Sequence, residues 1–401
     1  MRERVILYGL GGRMLKNKNW YCQNFNIVGF SDSNPDKKMN IPFADIPYIF
    51  PDDLPGQDFD YIIVCSVMAK EIVTYLMEKI GIPQKKIKTD YEVYMKDLLA
   101  DVHCYGDKNP DKTIVIIGRE VMGLGLFGYI NNFLEYIREI IGLGYVPVID
   151  MQNYHSAYQE DEEFKKVNAW ELFFEQPMDI SVEEAYQSKH VIHIPDTWVI
   201  ANGPYKVGDV YYNLEVRREY CSFMAKYIRP NETMAKKISE EYEKLFCWIR
   251  EKKKKILGVL YRGTDFLELK PQFHFIQPDI ETFIAEVKRK LKEWNMDYVY
   301  LSTDDENAVT AMKEAMGDKL LYYERKRFSN TGKTKLAFIS FDRERDRYIK
   351  GVDYLTEISL LAKCDSIVAG KAGGTVGALL LNQMNYSREF FFELGVYGMD
   401  K

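Results

Sequence analysis

One local pattern recurs along this chain and restricts its fold more than any other feature. A short apolar run ends in a glycine-rich turn, an amphipathic stretch follows, and a second apolar run comes next. Strands joined in this way through helices form parallel sheets, so the chain is predicted to have an α/β fold. Within residues 1–100 the predicted elements are the strand Arg4–Tyr8, the turn Gly9–Gly12, the strands Phe25–Asp32 and Tyr61–Ser66, and the helix Ala69–Ile80.

The pattern returns after Asp101–Lys112, a polar, turn-rich stretch that is predicted to be a linker. The second unit is predicted to contain the strand Thr113–Gly118, the glycine-rich stretch Met122–Gly128, a helix through Ile141 and the strand Tyr145–Asp150. Residues 155–250 are predicted to be mainly helical, with Trp170–Phe174 and Asn231–Lys254 as the clearest parts and His190–Ile194 as a further candidate strand.

A third unit begins at Ile256. Its predicted elements are the strand 256–261, the helix Asp279–Asn295, the strand Tyr298–Ser302, the helix Asp305–Met316, the strand Lys319–Tyr323, the charged loop Glu324–Lys350, the helix Asp353–Ala362, the strand Ser366–Ala369 and the helix Val376–Asn382. The last two units are expected to form two halves that face a cleft. The predicted domains are therefore 1–105, 106–250 and 251–401, each of them Rossmann-like.

Composition narrows the class of protein. A chain of 401 residues is too long for one ordinary core, and a net charge of −6 argues against a nucleic-acid-binding protein. The six cysteines form no CxxC and no cysteine–histidine cluster at zinc spacing, so they are interpreted as buried thiols in a reducing compartment. No signal peptide is expected, and no apolar run approaches the roughly 18 residues that span a bilayer. The expected location is the cytoplasm.

The first unit has the order of a dinucleotide-binding half-fold, with a glycine turn after the first strand and Asp32 after the second. Met14 stands where the full fingerprint has its third glycine. Two interpretations stay open: a unit that binds a nucleotide or sugar nucleotide, or a structural module through which the chain can form oligomers. The segment resembles the small Rossmann modules that are attached to bacterial sugar-modifying and sugar-transferring enzymes.

Arg262 is the strongest candidate for ligand binding. The apolar strand 256–261 ends directly before it, and Gly263, Thr264 and Asp265 follow as turn residues. A guanidinium is a fixed cation with a planar fork of donors that suits a phosphate or diphosphate, and ligands of open α/β sheets dock at strand ends. The alternative is a structural salt bridge to Asp265 or to Asp304.

Two further strand ends carry polar or glycine-rich turns. Asp304 and Asp305 follow the strand that begins at Tyr298, and they are interpreted as a helix N-cap with a first-turn acid at a candidate site for a phosphorylated ligand, rather than as a metal site. The turn after the last strand contains Lys371, Gly373, Gly374 and Thr375. Backbone N–H groups of a glycine turn that opens a helix bind phosphate, with Lys371 or Thr375 assisting.

Four motifs occur together in an order and spacing that resemble the GDP-fucose-dependent fucosyltransferase superfamily, above all its α1,6-fucosyltransferases of the animal core type and the Nod-factor type. The motifs are LGVLYRGTD (257–265), FHFIQPDIETFI (273–284), YVYLSTDD (298–305) and LTEISLLAKCDSIVAG (355–370). The stretch 123–153 is similar to that family's first glycine-loop unit. The resemblance covers residues 110–401.

The resemblance implies a GT-B-like pair of Rossmann-like domains, preceded here by the small third one. It also implies an inverting transfer from GDP-fucose without a metal or other cofactor, and it places the family's donor-phosphate arginine on Arg262. Leu260 and Gly263 depart from the family's HxRR pattern. Glu357 falls where the family has a carboxylate that reads guanine, because such a group can accept both the N1–H and the N2–H of that base.

The remaining candidates lie in loops. Glu268 is predicted to be the general base for the acceptor hydroxyl, because a carboxylate is needed near the sugar and Glu268 follows Arg262 closely. Lys270 is a candidate contact to the diphosphate, and His274 is either a substrate contact or a packed loop histidine. Gly123 and Gly125 are predicted to let the backbone approach the ligand closely, with tight helix–strand packing as the alternative.

The sequence therefore predicts an inverting glycosyltransferase that moves fucose from GDP-fucose to a hydroxyl of a glycan or oligosaccharide acceptor, with at most peripheral membrane association. A non-catalytic sugar-nucleotide-binding or regulatory protein of the same fold is the alternative.

Overall fold

The structure is a computed structural model that describes residues 2–66, 69–118, 123–194, 207–271, 274–329 and 333–398. Met122 of the predicted second glycine turn and Phe273 of the second family-like motif lie outside the described residues. The chain divides into two compact units, which we call unit 1 (Met1–His103 and Ile192–Lys206) and unit 2 (Cys104–Val191 and Val207–Lys401).

Unit 1 contains a four-stranded parallel sheet of order β2-β1-β3-β4. Its elements are β1 (Arg4–Tyr8), α1 (Gly12–Asn24), β2 (Asn26–Ser31), β3 (Tyr61–Val64), α2 (Ala69–Glu78), β4 (Ile87–Thr89) and α3 (Asp90–Ala100). Alternate residues of β1 enter two cores, with Val5 and Leu7 on one face of the sheet and Ile6 and Tyr8 on the other. This two-sided burial explains the continuous apolar runs of the strands.

Residues 104–254 contain a three-stranded sheet of order β6-β5-β7 and a set of helices. The elements are β5 (Ile114–Gly118), α4 (Leu126–Gly142), β6 (Val146–Asp150), α5 (Val182–Ala185), β7 (Val191–Ile194), α6 (Leu214–Tyr227), α7 (Glu232–Tyr242), a π-helical turn (Glu243–Cys247) and α8 (Trp248–Glu251). The predicted helix over Trp170–Phe174 is wrong, because these residues form consecutive turns that pack three aromatic rings into the core. The predicted long helix 231–254 is interrupted by the π-helical turn.

The second half of unit 2 contains a five-stranded parallel sheet of order β10-β9-β8-β11-β12. The elements are β8 (Ile256–Tyr261), α9 (Asp265–Leu269), α10 (Ile280–Glu293), β9 (Tyr298–Thr303), α11 (Glu306–Met316), β10 (Leu320–Tyr322), α12 (Asp346–Leu361), β11 (Ser366–Ala369), α13 (Gly373–Asn382) and β12 (Glu389–Phe391). The three parallel sheets of the chain confirm the predicted α/β fold.

Helix α12 begins two turns earlier than the predicted helix at Asp353. The first residues of α12 were predicted to belong to the charged loop 324–350, and Gly351, a weak helix former, lies within the observed helix. In the structure a Cβ at Gly351 would lie 2.4 Å from the Phe173 ring and 2.9 Å from the Tyr158 ring, so the helix packs against those rings at its glycine. The pairing of Arg343 Nε with Asp346 Oδ1, at 2.6 Å, fixes the earlier start.

Candidate functional site

Arg262 lies at the carboxyl end of β8, the central strand of the larger sheet. Its Nη2 donates to Asp265 Oδ1 at 2.8 Å, and its Nη1 pairs with the carboxylate of Asp304 at the end of β9. Its guanidinium also lies over the Phe266 ring, 4.6 Å from the centroid. With 21% of the side chain exposed, the guanidinium is held in one orientation and still reaches the surface. Arg262 can therefore keep its salt bridges to Asp265 and Asp304 and contact a phosphate at the same time.

The turn after Arg262 is packed too closely for a second long side chain. A Cβ at Gly263 would lie 2.4 Å from Asp305 Oδ2, so the family's second arginine has no room at this position. Thr264 has φ 47° and ψ −122°, a backbone conformation that is costly for a β-branched residue. Its buried Oγ1 has no hydrogen-bond partner among the described residues.

Asp305 is the N-cap residue of helix α11, which begins at Glu306, one residue after the predicted start. Its Oδ1 accepts from the backbone N–H groups of Asn307 and Ala308, at 2.8 and 3.3 Å. Burial raises the pKa of Asp305, which these two donors partly offset. In the part of the chain that the structure describes, no group of three or more His, Cys, Asp or Glu side chains could hold a metal ion.

The glycine turn after β11 opens helix α13 without a side-chain cap. The side chains of Thr375 and Lys371 are turned inward, because Thr375 Oγ1 donates to the Gly370 carbonyl at 2.6 Å and Lys371 Nζ donates to the Tyr212 hydroxyl at 2.6 Å. Lys371 also pairs with Glu393 and is only 1% exposed. These two side chains therefore hold the turn in place, and the backbone N–H groups of Gly373 and Gly374 are the ones left for a ligand.

An aromatic cage that sequence reasoning missed encloses Lys371. The rings of Tyr211, Tyr212 and Phe275 lie 5.4, 4.3 and 5.3 Å from its Nζ. The Tyr211 hydroxyl also donates to the Ala372 carbonyl at 3.1 Å and accepts from the Ala372 N–H at 3.2 Å. No sequence signal pointed to Tyr211, which lies about 160 residues before the turn that it clamps.

The start of helix α4 lies beside the start of α13. Gly125 is the N-cap residue of α4 and provides no side-chain cap, and Asn131 Nδ2 donates to the Gly373 carbonyl at 3.4 Å. A Cβ at Gly373 would lie 3.6 Å from Gly128 N. Gly123 has φ 104°, which favours glycine, and a Cβ there would lie 3.1 Å from the Phe338 ring. The glycines of α4 and α13 thus let two helix N-termini lie side by side, and the predicted approach of the Gly123 and Gly125 backbone to a ligand stays a prediction.

Glu357 has different partners from those that the sequence suggested. Its Oε2 accepts from Arg325 Nη2 at 2.8 Å and its Oε1 from Arg327 Nη2 at 3.2 Å, and its side chain is 1% exposed. Both arginines also donate to the Thr303 carbonyl at the end of β9. Both oxygens of the carboxylate are occupied, so the role of a guanine reader does not fit this arrangement.

Glu268, Lys270 and His274 lie near Arg262 in sequence and in space. Glu268 Oε2 accepts from the Lys333 N–H at 3.0 Å, and Lys270 ends helix α9 with φ 45°. The His274 ring contacts the Phe266 ring, with centroids 5.3 Å apart, and Phe266 in turn lies under the guanidinium. Partial burial, with Lys335 and Arg262 nearby, lowers the pKa of His274, so the ring is neutral at pH 7.

Two other predicted features have structural roles. The Asp32 carboxylate accepts from the Leu10 N–H at 2.7 Å and from the Asn34 N–H at 2.9 Å, so it fastens the glycine turn of unit 1. Trp170, Phe173 and Phe174 are buried in the core of unit 2 rather than forming a surface for sugar stacking. Among the described residues, no helix is long and apolar enough to cross a membrane.

Comparison with protein families gives a match at the start of the chain. A family model described as C2185-like, N-terminal, matches residues 1–88. No curated protein matches the chain.

The chain is similar to solved fucosyltransferase structures. A NodZ alpha-1,6-fucosyltransferase co-crystallized with GDP is 14% identical, with 70% of this chain and 95% of that chain covered and a TM-score of 0.42. POFUT1 in complex with GDP is 10% identical, with 71% and 99% covered and a TM-score of 0.40. Both are structures of fucosyltransferases, the superfamily that the sequence motifs resemble.

Proposed function

We propose that unit 2 is an inverting glycosyltransferase that uses a nucleoside-diphosphate sugar, GDP-fucose by resemblance, and a hydroxyl of a glycan acceptor. One observation supports this most directly: the fixed guanidinium of Arg262 and the uncapped start of α13 lie at the carboxyl edge of the five-stranded sheet, and the uncapped start of α4, which follows a strand of the smaller sheet, lies beside α13. Each of these groups favours an anion, and a diphosphate is large enough to contact all three.

The proposed reaction needs little covalent chemistry from the protein. The acceptor oxygen attacks C1 of the sugar, the bond between C1 and the β-phosphate oxygen breaks, and the nucleoside diphosphate leaves with additional negative charge. Arg262 and the N–H groups of Gly373 and Gly374 stabilise that charge as it develops. The acceptor hydroxyl gives its proton to a carboxylate, for which Glu268 remains the candidate.

Substitution of Arg262 tests the proposal. We expect Arg262→Ala to abolish release of GDP from GDP-fucose in the presence of a glycan acceptor, and Arg262→Lys to restore only a small part because it cannot bind two oxygens at once. Arg289→Ala is the matched control, since Arg289 is an exposed arginine whose ion pairs with described residues are to Glu286 and Glu293 of its own helix. Full transfer by a well-folded Arg262→Ala protein would refute the mechanism.

The nucleotide base needs a separate measurement, because Glu357 is not free to read it. Thermal unfolding in the presence of GDP, UDP, ADP or CMP measures the preference directly, since a ligand that binds the native state raises the midpoint. Stabilisation by GDP alone supports the resemblance to GDP-fucose enzymes. Stabilisation by UDP alone contradicts it and leaves the diphosphate site intact.

A non-catalytic protein that binds a sugar nucleotide is the second candidate. It is favoured by the inward orientation of Lys371, Thr375 and Glu357, three side chains that the sequence assigned to the donor. Incubation of the wild-type protein with GDP-fucose, alone and with glycan acceptors, separates the two functions. A binding protein retains GDP-fucose intact, whereas a transferase releases GDP when an acceptor is present.

A further inference from the structure

Tyr354 is the feature of unit 2 that the predicted site leaves unexplained. It lies on the inner side of α12, between the two glycine turns. A Cβ at Gly374 would lie 2.5 Å from its hydroxyl oxygen, and one at Gly125 would lie 3.6 Å from its ring. Its ring also packs edge-on against Phe127 of α4, with centroids 5.4 Å apart. Its hydroxyl is therefore at the meeting point of the α4 and α13 N-termini.

Several inward-facing tyrosines of unit 2 have hydroxyl groups that are bonded within the protein. Tyr129, Tyr211, Tyr300 and Tyr323 each have a named hydrogen-bond partner. The Tyr354 hydroxyl has none among the described residues, its side chain is half-buried, and its oxygen is not fully enclosed. A tyrosine hydroxyl that reaches open space in this way can donate to a ligand.

The charges around Tyr354 indicate what kind of partner fits. Arg262 and Arg325 lie close enough to favour negative charge, and the two uncapped helix N-termini add to that field. Asp265 and Glu357 lie in the same neighbourhood, but both are paired with arginines. Burial raises the pKa of Tyr354, so the group stays protonated at neutral pH and acts as a donor.

The side-chain oxygen of Asn131 is a buried atom without a described partner, and it lies beside the start of α13. The Asn131 amide donates through Nδ2 to the Gly373 carbonyl, and its buried Oδ1 has no hydrogen-bond partner among the described residues. An oxygen in this position accepts from a hydroxyl or from water. A ligand that offers both anionic oxygens and hydroxyl groups satisfies Tyr354 and Asn131 together, and a sugar bound to a diphosphate is such a ligand.

We propose that the Tyr354 hydroxyl donates a hydrogen bond to an anionic oxygen of the diphosphate and so places it between the starts of α4 and α13. This inference rests on the proposed function only for the identity of the ligand, because any diphosphate offers the same oxygens. It makes Tyr354 a ligand-binding residue that acts together with Arg262 and the backbone of Gly374.

The test compares two tyrosine-to-phenylalanine variants of the full chain. Tyr354→Phe removes a hydroxyl that no described group of the protein uses, so the midpoint of thermal unfolding without ligand should stay unchanged. Tyr300→Phe is the matched control, because the Tyr300 hydroxyl donates to the Glu357 carbonyl at 3.1 Å within the core. It should lower that midpoint and leave ligand affinity unchanged.

Affinities are measured by calorimetry with GDP and, separately, with inorganic pyrophosphate. We expect Tyr354→Phe to weaken both about ten-fold or more, the order expected for the loss of a hydrogen bond to a charged group. Equal affinities of wild type and Tyr354→Phe for either ligand that the wild type binds would overturn the inference.

The two ligands separate failure of this inference from failure of the proposed function. Wild-type binding of pyrophosphate but not of GDP, with a loss in Tyr354→Phe, refutes the use of a GDP-sugar and supports the anion site. Binding of GDP that is insensitive to Tyr354→Phe supports the function and refutes the role of Tyr354. Absence of wild-type binding to both ligands refutes both.

Discussion

Replacement of Glu357 by alanine is the perturbation with the largest effect that the structure predicts. The side chain is 1% exposed and lies between two guanidinium groups that are themselves 9% and 2% exposed. Removal of the carboxylate takes the paired counter-charge from Arg325 and Arg327 and leaves them with backbone acceptors, with Asp353 as a further carboxylate near Arg325. The variant therefore tests whether this acid is structural or is available to a ligand.

The magnitude follows from the two hydrogen bonds. Each links a charged donor to a charged acceptor, at 2.8 and 3.2 Å, and bonds to charged groups contribute about 1.5–3 kcal/mol each. Breaking a buried ion pair by removing one partner costs about 3–5 kcal/mol. Because the Thr303 and Tyr323 carbonyls still accept from the arginines, we expect a loss near the middle of these ranges, about 4 kcal/mol.

Urea unfolding measures this loss if the two units are followed separately. Hydrogen exchange with mass spectrometry assigns the transition, and peptides from β10 and α12 should lose protection at lower urea in Glu357→Ala, while peptides from β1 and β3 in unit 1 should not change. Glu314→Ala is the control, since Glu314 lies exposed on α11. The expected difference between this control and wild type is within about 0.5 kcal/mol.

One result would refute the structural role. If Glu357→Ala unfolds at the same urea concentration as wild type but no longer binds GDP, the carboxylate is free to read guanine and the pairing with Arg325 and Arg327 is not its main function. Loss of stability together with unchanged preference among GDP, UDP, ADP and CMP supports the opposite conclusion.

Three further predictions have distinct outcomes. Gly374→Ala should destabilise unit 2 by about 1–3 kcal/mol in urea unfolding, because the new Cβ would lie 2.5 Å from the Tyr354 hydroxyl. Gly373→Ala is the control and should be nearly neutral, because the closest contact of its Cβ would be 3.6 Å away. Lys371→Met should leave the Kd for GDP, measured by calorimetry, within about two-fold of the wild-type value. The reason is that the caged ammonium faces its aromatic cage and Glu393, and a buried ion pair can often be replaced by an apolar side chain. A loss of affinity above ten-fold contradicts this prediction. Burial raises the pKa of Asp90 to about 6, so the native state holds an extra proton between pH 4 and 6. When the pH falls from 7 to 4.5, the free energy of unfolding of wild type should therefore rise by about 2 kcal/mol relative to that of Asp90→Asn. Thermal unfolding across that range measures the gain, and a constant difference between the two proteins contradicts it.

The sequence predicted the central strands best. The bounds predicted for β8 and β11 are the ones observed, because strands buried on both faces of a parallel sheet must be continuously apolar and end where polar residues begin. The edge strand β12 and the start of α12 were missed. Edge strands have weaker patterns, and the start of α12 depends on the packing of Gly351 against rings that lie far away in sequence.

The side-chain partners at the site could not be predicted from the sequence. The arginines that neutralise Glu357 precede it by 32 and 30 residues, and the tyrosines that enclose Lys371 precede it by about 160. Neither distance carries a periodic signal, because the pairs form across a loop and between two halves of unit 2. A motif therefore located the positions but not the orientation of their side chains.

Thr264 lies in the turn between Arg262 and Asp265 and has an unfavourable backbone conformation. A threonine with φ 47° stores strain that glycine would avoid, and its buried hydroxyl has no described partner. The turn that Thr264 forms places Asp265 against the guanidinium of Arg262. Asp304, at the end of the neighbouring strand, pairs with the same guanidinium. The chain thus spends stability to fix one cation at a strand end, while Thr264 Oγ1 beside it and Asn131 Oδ1 at the start of α13 stay unpaired among the described residues. Unpaired buried polar atoms are unfavourable in a protein core, and a ligand that supplies the missing partners removes that cost.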